Sequence, residues 1–271
     1  MKNTGKICLW MMFIFASYSY AVSQQSLAMT YGESITYDIY FKWGPIMPRA
    51  GSATFLYDRN ELVAGASSCY RMNFKTTKFF DNIFKMRDTL LTYHDDNNKV
   101  IYGVKRAKEG DYYSVDELMF ENGDGKTMIR SLRYTPTKVK IDTTLTAIGD
   151  VTDMLGAVFY LRGINRMKLR YGDVYPFTVA IGRDLVRMQF VYEGQEVIKH
   201  DKVKYNTHYF KIDIYDEIFE NAKNSAEVWV SDDDNFFPVK ARTKLKIGYG
   251  EIYYRESSNF AHPLKCIVEK K

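Results

Sequence analysis

The sequence predicts a mostly β protein: a large antiparallel sheet, curved or barrel-like, with one principal packed helix over about 150–162. Three observations predict it. Tyr and Phe, which suit pleated and half-buried surfaces, number 22 and 17, and the aromatic share is 15%. Short runs alternating apolar and polar residues recur along the chain, separated by turn residues. One segment alone changes to helical spacing.

Taken in order, Ile35, Tyr37, Ile39, Phe41 and Trp43 alternate with Ser34, Thr36, Asp38 and Lys42, a strand with one buried face. Gly44-Pro45 and Pro48 mark a loop, and 50–58 returns. Tyr70, Met72 and Phe74 alternate with Cys69, Arg71, Asn73 and Lys75, which places Cys69 on the polar face. Strands follow near 84–95, 99–108, 111–121, 127–134 and 138–142, joined by hairpin signals at 95–98, Glu109-Gly110 and 122–125. Over 150–162, Met154, Leu155, Val158, Phe159 and Leu161 share one helical side. Asp150 or Thr152 is placed to cap its amino end, and Gly163 to close it in a left-handed conformation. Strands resume at 175–181 and 186–192 around a turn at 182–184. Glu193-Gly194 reads as another turn, with strands near 195–203, 207–214, 225–231, 237–247 and 249–256 and a frayed end at 269–271. Short connections throughout favour antiparallel pairing in a single β-rich domain over 22–271; two strand-rich halves, 30–145 and 170–258, joined by the helix, are the alternative division.

Residues 1–21 read as a cleaved signal peptide rather than as fold. Lys2 and Lys6 precede the apolar run Ile7–Ala16, and Ser19 and Ala21 form a small-residue cleavage site, with cleavage after Ser23 as the alternative. The run is half the ~20 residues a membrane span needs, and no second stretch of spanning length occurs, so no membrane span is expected in the mature chain. Losing Lys2 and Lys6 with no acid lowers the formal charge from +5 to +3, too mild for nucleic acid as a global partner. The expected location is outside the cytosol, where the leader directs the chain. There an oxidising milieu permits a disulfide between the remaining cysteines, Cys69 and Cys266, with two unpaired thiols as the alternative.

Signatures of chemistry are sparse. The four His (94, 200, 208, 262) show no ligand spacing, and no Cys-x-x-Cys occurs, so no metal and no cofactor is expected. The acidic clusters His94-Asp95-Asp96 and Asp232-Asp233-Asp234-Asn235 lack the alternation of a calcium loop. No nucleophile elbow or phosphate-cradling glycine loop is present. Lys240, Arg242, Lys244 and Lys246 alternate with apolar residues and form a basic stripe on one strand face; it suits either an anionic glycan or lipid head group, or a solvated outer face. Arg87 and Asp88 point to opposite faces of one strand, so one of them is turned inward and needs a partner, for which Arg162 on the helix is a candidate.

Several motifs resemble one family. Gly32–Tyr37 (GESITY), Ala50–Ala53 (AGSA), Phe84–Thr89 (FKMRDT), the helix with its Phe-Tyr-Leu-Arg end, Val228–Asp233 (VWVSDD) and Pro238-Val239-Lys240 resemble the exported bacterial family catalogued as domain of unknown function 3108. The resemblance spans nearly the whole mature chain. It implies an exported protein with a mostly antiparallel architecture and supplies no catalytic residues; Arg87, Asp88, Arg162, Trp229 and Asp233 are matching positions that serve packing or binding. The leading expectation is a non-enzymatic periplasmic binding or carrier protein for an apolar or amphipathic envelope molecule, such as a lipid, held on an aromatic inner face. A scaffold that meets an envelope protein partner through the basic stripe is the second reading. A hydrolase of envelope glycan, needing two facing carboxylates, is the third.

Overall fold

The computed structural model describes residues 28–60, 62–123, 125–215, 225–245 and 248–270, so the signal-peptide segment 1–21 lies outside the described residues. Strands β1 (Glu33–Lys42), β2 (Arg49–Arg59) and β3 (Ser68–Thr76) form an antiparallel meander, and the short helix α1 (Lys78–Asp81) leads to β4 (Met86–His94). Hairpins extend it through β5 (Val100–Glu109), β6 (Tyr112–Asn122), β7 (Lys126–Thr135) and β8 (Lys138–Ile148). The chain then passes through β9 (Val151–Thr152) and the helix α2 (Gly156–Arg162). A second meander follows: β10 (Val174–Ile181), β11 (Asp184–His200), β12 (Val203–Ile214), β13 (Ala226–Ser231), β14 (Pro238–Lys244) and β15 (Tyr249–Ser258). β15 pairs with β1, with Ile252 opposite Ile39, so the two meanders make one sheet.

That sheet is nearly closed. Its path runs from β8 through β1 and β15 to β10, whose outer edge carries β9 at Thr178 and Val179. The two ends meet across a seam: Ser131 Oγ donates to the Gly182 carbonyl at 2.5 Å, and Arg183 Nη2 to the Lys140 carbonyl at 3.2 Å. Val100, Phe120, Ile129, Val151 and Ala180 form the apolar cluster beneath it. The barrel-like antiparallel architecture expected from the alternation is therefore the one observed.

Several local expectations are corrected. Helical structure begins at Gly156, not Asp150, because Val151 and Thr152 are drawn into pairing with β10. The amino end of α2 is satisfied by Asp153, whose Oδ1 accepts the Gly156 N–H at 2.6 Å, rather than by Asp150 or Thr152. Gly163 stays right-handed at φ −81°. Glu193-Gly194 does not turn the chain: Gly194 takes φ +110° and absorbs a bulge inside the continuous strand β11. Glu269 and Lys270 are paired rather than frayed, since β16 (Ile267–Lys270) adds to β12; Lys271 lies outside the described residues.

Side-chain alternation fills the barrel unevenly. On β1 the inward Glu33, Ile35 and Tyr37 are buried, whereas Ile39 and Phe41, further along, are half-exposed. β12 repeats the gradient from buried Phe210 to half-exposed Ile212 and Ile214, and β15 from buried Tyr254 to half-exposed Ile252. These strands alternate in direction, so the gradient has one sense: α2 plugs one end of the barrel and the other end is an open cup. Phe159 of α2 packs on Tyr57, Tyr70 and His94, and Leu161 joins Phe190, Phe210 and Val230.

Candidate binding cavity

The plug is pinned at both ends by buried polar groups. At the amino end, Thr92 Oγ1 donates to Asp153 Oδ2 at 2.6 Å while Oδ1 holds the helix N–H. Burial raises the Asp153 carboxyl to about 6 from an ordinary 3.8, against these hydrogen bonds. Gly103 opposite carries no side chain because a Cβ there would lie 2.3 Å from Asp153 Oδ2. At the carboxyl end Arg162 forms a two-pronged pair with Glu33, and Nη2 also donates to the Asn235 carbonyl at 3.1 Å. Both side chains of this pair are 1% exposed. Between these anchors His94 stacks on Phe159 at 4.1 Å, and burial lowers its imidazole to about 3, so it is neutral.

Beside the plug lies an apolar cavity of about 290 Å³. Ala157, Val158 and Leu161 form its floor, and Phe177, Met188, Ile212, Ala241 and Ile252 are among its walls. Its lining contains no carboxylate, histidine or cysteine; Tyr37 brings a phenol whose ionisation burial opposes. Across Met154 and Ile181, which line both spaces, is a smaller hollow of about 150 Å³ with a charged wall. That wall carries Lys105, Asp116 and Arg133, with Arg133 Nε bonded to Asp116. The cup is thus apolar on the side of β10–β2 and charged on the side of β5–β7. A third cleft, of about 680 Å³, follows the seam and is lined by His94, Lys99, Asp150, Tyr160 and Phe177.

The chain matches the family described as "Protein of unknown function (DUF3108)" over residues 36–254. It belongs to this family. Among solved structures it is similar to a beta-barrel-like protein of domain of unknown function DUF1849 from Brucella abortus, with a TM-score of 0.56, 12% identity, and coverage of 86% of this chain and 100% of that one. At this identity the likeness shows the fold. A Parabacteroides distasonis protein provisionally described as a lipoprotein aligns at TM-score 0.32 and 9% identity (86% and 100% covered). A Bacteroides fragilis protein provisionally described as exported, with a YmcC-like fold, aligns at 0.31 and 8% (86% and 98% covered). No curated protein matches the chain.

In this DUF3108 member the residues singled out from sequence fall in separate places. Arg87 lies toward the open end and pairs with Asp81 of α1 at 2.6 Å. Asp88 is the inward member of the two, as parity required, but its partners are the Lys108 N–H at 3.1 Å and Lys105 Nζ at 3.9 Å; Arg162 is committed to Glu33. Asp233 is buried in the β13–β14 loop, accepting from Ser231 Oγ and from the backbone N–H groups of Asn235, Lys265 and Cys266. It fastens the C-terminal segment and lines no cavity described above.

Trp229 and the basic stripe lie on the outer face. Trp229 Nε1 donates to Glu196 at 2.7 Å, its ring stacks on Tyr209, and Lys240 Nζ sits 4.4 Å above it. Lys240 is half-buried between the Trp229 and Tyr253 rings, and that burial lowers its pKa. Arg242 pairs with Glu227 at 2.5 Å. Of the four cations Lys244 is exposed, and Lys246 lies outside the described residues. Lys240 and Arg242 thus belong to a cross-strand ladder with acids and rings between them.

Of the two states open to the cysteines, bridged and unpaired, the structure has the unpaired one. Cys69 and Cys266 are both buried free thiols. Cys69 is not on a solvated face: with Leu91, Tyr93, Val104 and Val115 it forms an outer apolar cluster under the loop residues Val63 and Ala66. Cys266 belongs to the main core, so the two sulfurs occupy different clusters. Burial raises both thiol pKa values. Among the described residues no group of three or more His, Cys, Asp or Glu could hold a metal ion.

Proposed function

We propose that this protein is a non-enzymatic carrier or binding protein for an amphipathic envelope molecule, held in the cup with its apolar part against α2. The observation that carries this reading is the cavity of about 290 Å³ whose lining is almost entirely hydrocarbon and aromatic. The charged wall across Met154 supports an amphipathic guest over a purely apolar one, since a polar end can meet Lys105, 3.9 Å from Asp88, and the Arg133–Asp116 pair. The leader-like residues 1–21 support export to the periplasm. No described helix is long and apolar enough to cross a membrane, which agrees with a carrier that is not itself anchored by one.

The test is binding of an environment-sensitive apolar dye to the purified mature chain, followed by displacement with single-chain amphiphiles. Stoichiometric binding, weakened more than tenfold in Ala241→Trp while the circular dichroism spectrum is kept, is the expected result. A wild-type chain that binds no dye, or an Ala241→Trp variant that binds it unchanged, overturns the reading. Export is checked on protein recovered from the periplasm, whose first residue should be Val22. An unprocessed chain held in the cytosol contradicts it.

A further inference from the structure

The open rim of the cup is asymmetric, and its chemistry matches neither a solvated edge nor a packed one. Three neighbouring connections stand along it: the β1–β2 turn (43–48), the α1 segment (77–85) and, between β14 and β15, the described residues Leu245 and Gly248. They are joined to one another. The Thr77 N–H donates to the Ala50 carbonyl at 2.9 Å, and a Cβ on Gly248 would lie 2.0 Å from the Lys42 carbonyl. These turns hold large apolar side chains in water: Trp43 is 61% exposed, Ile46 59%, Phe79 67% and Ile83 69%. Scattered exposed hydrophobics need no explanation, but four at one end of a barrel, on adjoining turns, do.

Charge says what covers them. On the same segments and the strand ends that meet them are Lys42, Lys75, Lys78, Lys85 and Lys244. Among the described residues of 42–49, 75–87 and 244–249 the one acid is Asp81, which Arg87 neutralises; Glu109 and Asp111 stand on the next turn, whose Gly110 N–H bonds the Lys85 carbonyl. An apolar tip bearing Trp and Phe inside a ring of Lys is the pattern that seats a protein at the interface of an anionic bilayer: rings reach the acyl boundary and ammonium groups meet the phosphates. The patch also borders the mouth into which half-exposed Ile39 and Phe41 lead.

We infer that this rim is a docking surface for an anionic lipid bilayer, with Trp43, Ile46, Phe79 and Ile83 inserting and the surrounding lysines contacting lipid phosphates. Docked in this way, the cup faces the membrane. The inference goes beyond the cavity's proposed role and stands or falls separately from it, because it concerns the outside of the rim.

The experiment is co-sedimentation of the full mature chain with vesicles of phosphatidylcholine alone and of phosphatidylcholine with phosphatidylglycerol. Binding to the anionic vesicles, lost at high salt and weak on neutral ones, is expected. Lys78→Glu with Lys85→Glu should reduce the partition coefficient more than about tenfold, as each lysine near an anionic surface is worth roughly a factor of five. Phe79→Ser with Ile83→Ser should reduce it comparably at low salt. All four side chains are exposed, so both variants should keep the wild-type melting temperature and the dye binding of the cup. Anionic vesicles that leave the wild-type chain in the supernatant, or variants that sediment like wild type, refute the proposal. It is also refuted if the apolar variant merely converts a dimer to a monomer, for a second copy of the chain is then the occupant. Loss of dye binding with vesicle binding intact would strike the cavity reading and leave this one standing.

Discussion

Glu33→Gln should destabilise the protein far more than its size suggests. The substitution keeps the shape of the side chain and removes its charge, leaving the Arg162 guanidinium in a site where it is 1% exposed. Two of its hydrogen bonds, from Nη1 and Nη2, go to Glu33; a third goes to the Asn235 carbonyl. Among the described residues its Nε has no acceptor and Glu33 is the one carboxylate paired with it. Removing one partner of such a pair costs about 3–5 kcal/mol, because the remaining charge stays desolvated. For a chain of this size that corresponds to a fall in Tm of about 6–20 °C.

The assay is urea unfolding followed by circular dichroism, comparing wild type, Glu33→Gln and the double variant Glu33→Leu/Arg162→Met. Removing both charges should restore most of the lost stability, since a buried ion pair replaced by apolar side chains is often near neutral. The dye affinity of the cup should follow the same order, because Arg162 anchors the helix that forms the cavity floor. A loss under about 1 kcal/mol in Glu33→Gln would show that water reaches the guanidinium. A double variant as unstable as the single one would show that the pair does not act through charge compensation. Either result refutes the argument.

Stability against pH should separate two buried groups that act in opposite directions. Asp153, raised to about 6, keeps a proton in the fold that the unfolded chain has lost, so its contribution falls as pH rises from about 4 to 6. His94, lowered to about 3, refuses a proton that the unfolded chain takes up, so its contribution falls as pH drops from 6.5 towards 3. Relative to wild type, His94→Phe should therefore gain stability on acidification from pH 6 to 4, and Asp153→Asn should lose it; parallel urea midpoints across this range would contradict both. Gly103→Ala should cost about 1–3 kcal/mol in thermal unfolding, since its Cβ would be driven into Asp153 Oδ2, and an unchanged Tm would mean that the helix anchor is loose. Cys69 and Cys266 should resist a thiol reagent in the native state and both react on unfolding, and a non-reduced mass lower by two hydrogens would refute the free-thiol assignment.

The strands were legible where one face is apolar and the other polar, and the helix anchors were not. The bounds of β1 through β7 follow the alternation closely, although β3, β4 and β5 also bury part of their outer side, where Cys69, Leu91 and Val104 form a second cluster. Gly194 misled because a glycine after an acid signals a turn, whereas here a positive φ serves a bulge. Val151 and Thr152 misled because helical spacing from 154 onward hides a two-residue strand before it. The Glu33 partner of Arg162 did carry a signal: Glu33, Ile35, Tyr37 and Ile39 share parity, which places an acid on the inward face. The same parity on β4 places Asp88 and His94 with Leu90 and Thr92. Cavity volume had no signal at all, because a filled barrel and a hollow one alternate alike.

The position of the polar groups bears on how a guest would lie. Arg162 is spent on Glu33 and Asp153 on Thr92, and the Tyr160 hydroxyl on the Pro176 carbonyl, so the side of the helix that floors the cavity, Ala157, Val158 and Leu161, offers hydrocarbon alone. A guest with a polar group cannot bury that group against Val158 and Leu161 without leaving it unpaired, at a cost of about 1–3 kcal/mol. Across Met154, by contrast, Lys105 and Arg133 present charge to the same cup. The proposed guest therefore enters tail first and rests with its polar end against β5–β7. Lys105→Met should then weaken a fatty carboxylate more than a neutral alcohol of equal chain length, in competition against the dye. Equal weakening of the two would place the polar end elsewhere.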